Sequence, residues 1–475
     1  MTNLEKERTD EINAMIQAMN LEEKVSLMLH ESMAVDKVGI PEYNWWNECL
    51  HGVARSGSAT IFPQAIGLAA TFDDELAFKE ADVISTEARA KYNECQKAGV
   101  RSQYCGLTFW TPNINIFRDP RWGRGMETYG EDPCLTSRMG VAFINGLQGS
   151  DKEHLKIAAC AKHFAVHSGP EKDRHTFDAE VSKKDLWETY LPAFKAAVDA
   201  GVESVMGAYN RTLGEPCCGS KFLLQDVLRK KWGFKGHVVS DCWAIRDFHE
   251  NHKVTSTPAE SAALAIKNGC DLNCGCTYHA AIEAVRTGQL SEEAVNDSVR
   301  RLLMTRFKLD MFDAPEKTKW GTLSKKDVNT EDHRSLARKV AEESIVLLKN
   351  KSNLLPLQAK PQHILVIGPA AANINSLIGN YYGINPRLVT IVEGIAARSE
   401  QIPGVVVDYI QGCSMYSPNI QNGWTIGQAE AADVVIACFG LDNSMEGEEG
   451  AAVNSKKGDR EAIELPQWQL DYIKA

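Results

Sequence analysis

The stretch "GHVVSDCWAI", Gly236–Ile245, decides the reading of the fold. A glycine opens it, valines fill its centre, and the apolar run stops on the carboxylate of Asp241, with Trp243 two places further on. A short apolar run without polar alternation reads as a strand buried on both faces, and such strands belong to parallel sheets covered by helices. In those folds reactive groups gather at the C-terminal ends of the strands, which is where Asp241 falls.

Working outward, the same unit recurs. "IAACAKHF" (157–164) and "VESVMGAYN" (202–210) are further strand-length apolar runs ending in polar or aromatic residues. The helical patterns "KKDLWETYLPAFKAAVDAG" and "FLLQDVLRKKWGF" lie between them, and "AESAALAIKNGCDLNC" and "SEEAVNDSVRRLLMTRFKLDMF" follow. This alternation predicts an α/β chain whose first part, residues 1–313, is a TIM-type (β/α)8 barrel. The polar stretch "APEKTKWGTLSKKDVNTEDH" reads as part of an interdomain linker, 314–345. Residues 346–475 then supply "HILVIGPAA" (363–371), "GVVVDYI" (404–410) and "ADVVIACFG" (432–440), read as buried parallel strands of an α/β sandwich. The sequence stops in a helical pattern, so this sandwich is expected to be C-terminally incomplete.

Composition narrows the function. With 52 basic and 63 acidic residues the net charge is −11, which disfavours nucleic acid as a partner. No apolar run reaches the ~20 residues of a membrane span, so no membrane partner is expected. The opening "MTNLEKERTDEINAMIQ" is a charged helix start rather than a secretory signal, though a signal removed earlier is compatible with it, and localisation stays open between cytoplasm and periplasm. The composition is compatible with a homo-oligomer and does not specify one. Thirteen cysteines, an odd number in a long chain, favour reduced thiols over a disulfide framework. Cys270, Cys274 and Cys276 lack a second pair at zinc-ribbon spacing and read as small apolar thiols, as do Cys217 and Cys218. The turn after "HILVIG" lacks a phosphate-loop pattern, so no cofactor is expected. His163 and His167, four apart, are compatible with metal ligation on one helical face, but no third ligand follows and no metal is expected.

Several stretches together resemble glycoside hydrolase family 3: "NWWNECLHGVA" (44–54), "TIFPQAIGLAATFD" (60–73), "TPNINIFRDPRWGRGMETYGEDP" (111–133), "AKHF" (161–164), "GAYN" (207–210) and "SDCW" (240–243). "GNYYGINP" (379–386) and "GLDNSMEGEE" (440–449) resemble the second domain of its bacterial β-xylosidase branch. The resemblance implies a retaining, exo-acting β-D-xylosidase whose partner is a β-linked xylo-oligosaccharide. Retention needs a carboxylate nucleophile and a second carboxyl group that protonates the leaving oxygen and later activates water. By motif the nucleophile is Asp241; the plain alternative is an Asp capping the next helix. The acid/base is expected in the acidic loop of the second domain, with Glu446 preferred and Glu448 or Glu449 close enough for a shifted loop.

By the same resemblance Trp46, Tyr104, Arg118, Lys162, His163, Tyr209 and Trp243 hold the sugar, and His175 stands at the pocket edge. Salt-bridged scaffold is the alternative for Arg118 and the neighbouring Arg121 and Arg124, and Arg118 is preferred for the ligand because it aligns with the family's ligand-contacting arginine. Glu48 stands where the glucosidase branch has the shorter Asp. Its extra methylene occupies the space of a C5 hydroxymethyl group and favours a pentose by about 1–3 kcal/mol. The alternatives are a β-glucosidase or α-L-arabinofuranosidase of the same family, and then a β-N-acetylglucosaminidase that uses Asp173 and His175 as acid/base.

Overall fold

The computed structural model describes residues 3–419, 422–445, 447–448 and 458–475. The opening stretch forms a fully buried strand, and its neighbours behave alike. Cys160–Phe164 (β3), Ser204–Gly207 (β4) and His237–Ser240 (β5) pair in parallel in that order. Two short strands precede them, Glu31–Ser32 (β1) and Tyr43–Asn44 (β2), paired antiparallel.

Isolated parallel bridges extend this sheet on both sides. Asn47 pairs with Phe109, Thr108 with Ala158 and Asn113 with Lys162 on one side; Val239 pairs with Leu272 and Leu29 with Asn273 on the other. The extended segments around 29–32, 43–47, 108–113, 158–164, 204–207, 237–240 and 272–273 therefore hydrogen-bond in sequence until the last meets the first. The buried runs lack alternation because ring strands face packed side chains inside and helices outside.

Helices cover the ring as their patterns require. Glu292–Lys308 is capped by the Ser291 side chain and buries Val295, Val299, Leu302 and Leu303, one face of a 3.6-residue period. Pro258–Asn268 starts behind the Thr257 cap and ends on Gly269 in the left-handed region. The expected linker is held down rather than loose. The Asn93 side chain donates to the carbonyls of Trp320 and Leu323, each at 2.9 Å, and the helix Glu331–Ser344 brings His333 within 2.8 Å of Glu87.

The second domain is a parallel sheet of Gln362–Ile367 (β6), Val405–Ile410 (β7) and Val434–Ala437 (β8), ordered β7-β6-β8. Only the central β6 carries a buried run. The edge strands β7 and β8 alternate half-buried and exposed residues, which corrects the expectation of three buried strands: an edge strand is covered on fewer sides.

The cysteine expectation is also corrected. Cys242 and Cys274 form a disulfide, because the β5 end and the segment after Leu272 are ring neighbours. Cys276 is exposed, whereas Cys217, Cys218 and Cys270 are buried thiols. No helix among the described residues is long and apolar enough to cross a membrane.

Candidate active site

A cavity of about 290 Å³ lies at the C-terminal ends of β3, β4 and β5. Of the residues expected from sequence it gathers Trp46, Glu48, Lys162, His163, Tyr209, Asp241, Trp243 and Glu448.

Asp241 follows the last residue of β5 and is 7% exposed. Its backbone N–H donates to Gly207 O at 3.1 Å, and its Oδ1 accepts from Cys242 N at 2.9 Å. Among the described residues Oδ2 accepts no hydrogen bond, and His163 Nε2 stands 3.7 Å from it. Burial raises the Asp241 carboxyl to about 6 against the pull of Arg174 and Arg124.

At the closed end of the cavity Lys162 donates to Glu48 at 3.1 Å, with both side chains almost wholly buried. Burial is again the largest influence and lifts Glu48 to about 7, opposed by Lys162 and reinforced by the charges of Glu448 and Glu127. Trp46, beside Glu48, stacks on Trp110 with centroids 5.4 Å apart.

His163 is fixed through Asn115, whose Oδ1 lies 2.9 Å from Nδ1 and accepts from the His163 backbone N–H at 2.8 Å. Burial, with Arg124 nearby, keeps this imidazole neutral by pushing its pKa well below the ordinary value. His163 lies within β3 and His167 in the loop beyond it, their rings edge to face at 5.0 Å, so the two do not share a helical face. Among the described residues no group of three or more His, Cys, Asp or Glu is arranged to hold a metal ion.

Two cations missed or misjudged from sequence converge on Glu448. Arg124 NH1 lies 3.3 Å and Arg174 NH1 3.6 Å from Glu448 Oε1. On its other oxygen Glu448 accepts from Tyr381 OH at 2.9 Å and from Asn380 Nδ2 at 3.1 Å. Glu448 is pulled down to about 2: the guanidiniums of Arg124 and Arg174, Lys162 and the Tyr381 hydroxyl outweigh burial, which by itself is the largest influence and acts upward.

The pocket therefore takes Arg124 where the sequence suggested Arg118. Arg118 is exposed and donates to Tyr190 OH at 3.1 Å, and Arg121 pairs with Asp119 at the surface. The turn over Gly125–Glu127 explains the difference. A Cβ on Gly125 would lie 2.1 Å from the Phe117 ring, so only glycine lets this turn close and carry Arg124 inward.

The remaining expectations divide. Tyr104 stands outside the cavity lining, tilted against Trp46 at 6.5 Å and accepting from Arg55 NH1 at 3.0 Å. His175 also lies off the cavity. Its Nδ1 is 2.7 Å from Asp247 Oδ2 on the helix Ala244–Glu250, a partner that the Asp173–His175 spacing did not suggest. Its ring lies 4.8 Å from Tyr209, over which Arg174 sits at 4.2 Å. Glu446 and Glu449 lie outside the described residues.

The second domain supplies part of the wall. The segment before Asn385 pairs with the loop after His51: Arg55 N donates to Tyr382 O, Ala59 N to Ile384 O, and Ile384 N to Gly57 O, all within 3.1 Å. This docks Tyr381 between Lys162 and Arg55, at 5.4 and 4.9 Å from its ring. Asn380 and Tyr381 lay inside a quoted motif, but nothing in its spacing marked them, and Arg174 lay between the quoted motifs.

The chain matches known proteins over most of its length. Residues 9–305 match the glycosyl hydrolase family 3 N terminal domain and residues 345–475 the family's C-terminal domain. A xylan 1,4-beta-xylosidase of Xylanibacter ruminicola is 47% identical over 85% of this chain and 47% of its own length. A beta-xylosidase/alpha-L-arabinofuranosidase of Medicago sativa subsp. varia is 38% identical over 94% of this chain and 58% of its own length. Among solved structures, a GH3 exo-beta-xylosidase in complex with a xylobiose aziridine activity-based probe superposes with a TM-score of 0.89 at 33% identity, covering 98% of this chain and 60% of that one. The chain thus spans about half to three fifths of the length of these relatives.

Proposed function

From the premise that this chain belongs to glycosyl hydrolase family 3, we propose that it is a retaining, exo-acting β-D-xylosidase that removes terminal xylose from xylo-oligosaccharides. The observation that carries the proposal is the pair Asp241 and Glu448, two carboxyl groups from different domains lining one small cavity. The ring of extended segments is read as a TIM-type barrel, with domain bounds at 1–313, 314–345 and 346–475.

In this reading Asp241 Oδ2 attacks C1 of the terminal xylose while Glu448 gives its proton to the departing oxygen, leaving a covalent glycosyl-enzyme. Glu448, now a carboxylate, takes a proton from water, whose oxygen attacks C1 from the face the leaving group vacated. Asp241 departs, and two inversions give net retention.

In the free pocket the proton preference runs the other way, with Asp241 raised and Glu448 lowered. The mechanism therefore requires bound substrate to separate Glu448 from Arg124 and Arg174, whose donors turn to sugar hydroxyls and whose charges then keep Asp241 ionised. His163, neutral and held through Asn115, and Lys162 are placed to hydrogen-bond other hydroxyls. Glu48 fills the space a C5 hydroxymethyl group would need, and the xylosidase relatives support a pentose in that place.

The test is hydrolysis of an aryl β-xyloside followed by NMR of the first-formed anomer. β-Xylose is expected, and Asp241→Ala is expected to lower turnover by at least about 10⁴-fold. Inverted product, or substantial activity in that variant, overturns the assignment.

A further inference from the structure

We infer that Asp459, in the second domain, is a positioning residue for the acid/base: its one carboxylate spans two loops of the first domain and so holds the arginine cradle in which Glu448 sits. The inference rests on the reading of Glu448 above and adds to it a residue that acts through others. Asp459 Oδ1 accepts from Gly123 N at 3.0 Å and its Oδ2 from Glu171 N at 2.9 Å. Gly123 immediately precedes Arg124, and Glu171 stands three residues before Arg174. One side chain therefore pins both loops whose guanidiniums meet on Glu448 Oε1.

Short routes lead from Asp459 to Glu448. Through Gly123 the backbone passes directly to Arg124. Through Glu171 it passes to a buried carboxylate that accepts from Arg174 NH1 at 3.2 Å and from Trp122 Nε1 at 2.7 Å, so this side chain also joins the second loop to the first. Within the second domain, Gly447 N donates to Gly458 O at 2.8 Å, which ties the residue before Glu448 to the residue before Asp459. Arg460 N donates to Arg121 O at 2.9 Å and extends the seam. The seam closes on Gly123. An added Cβ there would lie 2.6 Å from Gly447 O and 2.8 Å from Gly458 O, so a side chain at this position must displace the backbone beside Glu448.

The residue type fits the task. A carboxylate offers two acceptor oxygens, and here each takes one backbone N–H from a different loop; such charge-assisted bonds are about twice as strong as neutral ones. Asn keeps the size but has one oxygen, and its amide nitrogen would meet the second N–H donor to donor. Burial raises the Asp459 carboxyl above its ordinary value, and the two amides oppose that rise by favouring the ionised form. Placement matters because a proton donor acts only within hydrogen-bond reach of the departing oxygen, and a displacement of about 1 Å costs on the order of a hundredfold in rate.

The experiment measures kcat/KM for xylobiose and a dinitrophenyl β-xyloside in the wild type, Asp459→Asn, Gly123→Ala and Glu448→Ala, with Tm recorded for each. Asp459→Asn and Gly123→Ala are each expected to lower the xylobiose value about thirtyfold and the dinitrophenyl value about threefold, an about tenfold shift of the ratio in the direction of Glu448→Ala. An unchanged ratio in either folded variant, whatever happens to Tm, makes the contact a structural staple and overturns the inference. Hydrogen exchange in the wild type decides independently of whether any variant folds. The amides of Gly123 and Glu171 should exchange at least about a hundredfold more slowly than in an unfolded chain, and rapid exchange at either one overturns the inference. A wild type inactive on both substrates, or a Glu448→Ala variant without leaving-group dependence, instead overturns the underlying reading, and this inference with it.

Discussion

Glu48→Gln tests the electrostatics of the closed end of the pocket. Burial raises the Glu48 carboxyl from 4.5 to about 7 even with Lys162 at 3.1 Å. An acid whose folded pKa is raised contributes stability that is fully present below its unfolded pKa and is lost as pH climbs through the folded value. At about 1.4 kcal/mol per pH unit the loss between pH 4.5 and somewhat above pH 7 is about 3 kcal/mol. For about 300 residues unfolding together, this corresponds to roughly 5 °C in Tm. Gln is a near-isostere without the titration, and every other ionisable group remains in both proteins. Below pH 4.5 both carry a neutral group beside Lys162 and unfold alike, whereas by pH 8 the variant should have gained about 5 °C on the wild type. Thermal unfolding of both proteins at several pH values reads this directly. A Tm gap that stays constant from pH 4.5 to 8 would show that burial does not dominate at Glu48, and the reasoning would fail.

Three further outcomes are expected. Glu48→Asp should raise the ratio of glucoside to xyloside kcat/KM by about tenfold, since one methylene is worth about 1–2 kcal/mol; an unchanged ratio places Glu48 away from C5. Glu448→Ala should slow xylobiose severely while sparing a dinitrophenyl xyloside, with azide restoring turnover as a retained β-xylosyl azide. The same pattern in His175→Ala would instead move the acid/base to the barrel. Arg124→Ala should cost at least about a hundredfold in kcat/KM while Arg118→Ala stays within about twofold, and equal effects would contradict the placement of the two arginines.

What the sequence revealed follows its periodicities. Strands β3, β4, β5 and β6 were readable because burial on both faces removes alternation, and the place of Asp241 followed from strand direction alone. Edge strands β7 and β8 have the same apolar letters, and only pairing shows that they lie at the margin. The disulfide could not be read because Cys242 and Cys274 are 32 residues apart, and only closure of the ring makes their segments neighbours. The choice between Arg118 and Arg124 depended on how the turn at Gly125 folds past Phe117, a steric matter three-dimensional in origin. The Asp173–His175 spacing matched a known arrangement, yet the imidazole reaches Asp247 on a helix more than seventy residues away. Glu448 was one of several acids in one loop, and its contacts with Arg124, Arg174 and Tyr381, which put it at the cavity, come from segments far away in the sequence.

The strand-like pairing of Arg55–Ala59 with Tyr382–Ile384 makes one wall of the pocket depend on the docking of two domains. A sugar that binds only the docked form must strengthen docking by the same factor by which docking strengthens its own binding. At a ligand concentration one hundred times Kd, that coupling adds about 2.7 kcal/mol to the assembled state. Backbone amides of 55–59 and 382–384, already paired across the two domains, should thus exchange their hydrogens more slowly when xylose fills the cavity. Occupancy of the site then becomes measurable at the seam between the domains, without any turnover at all.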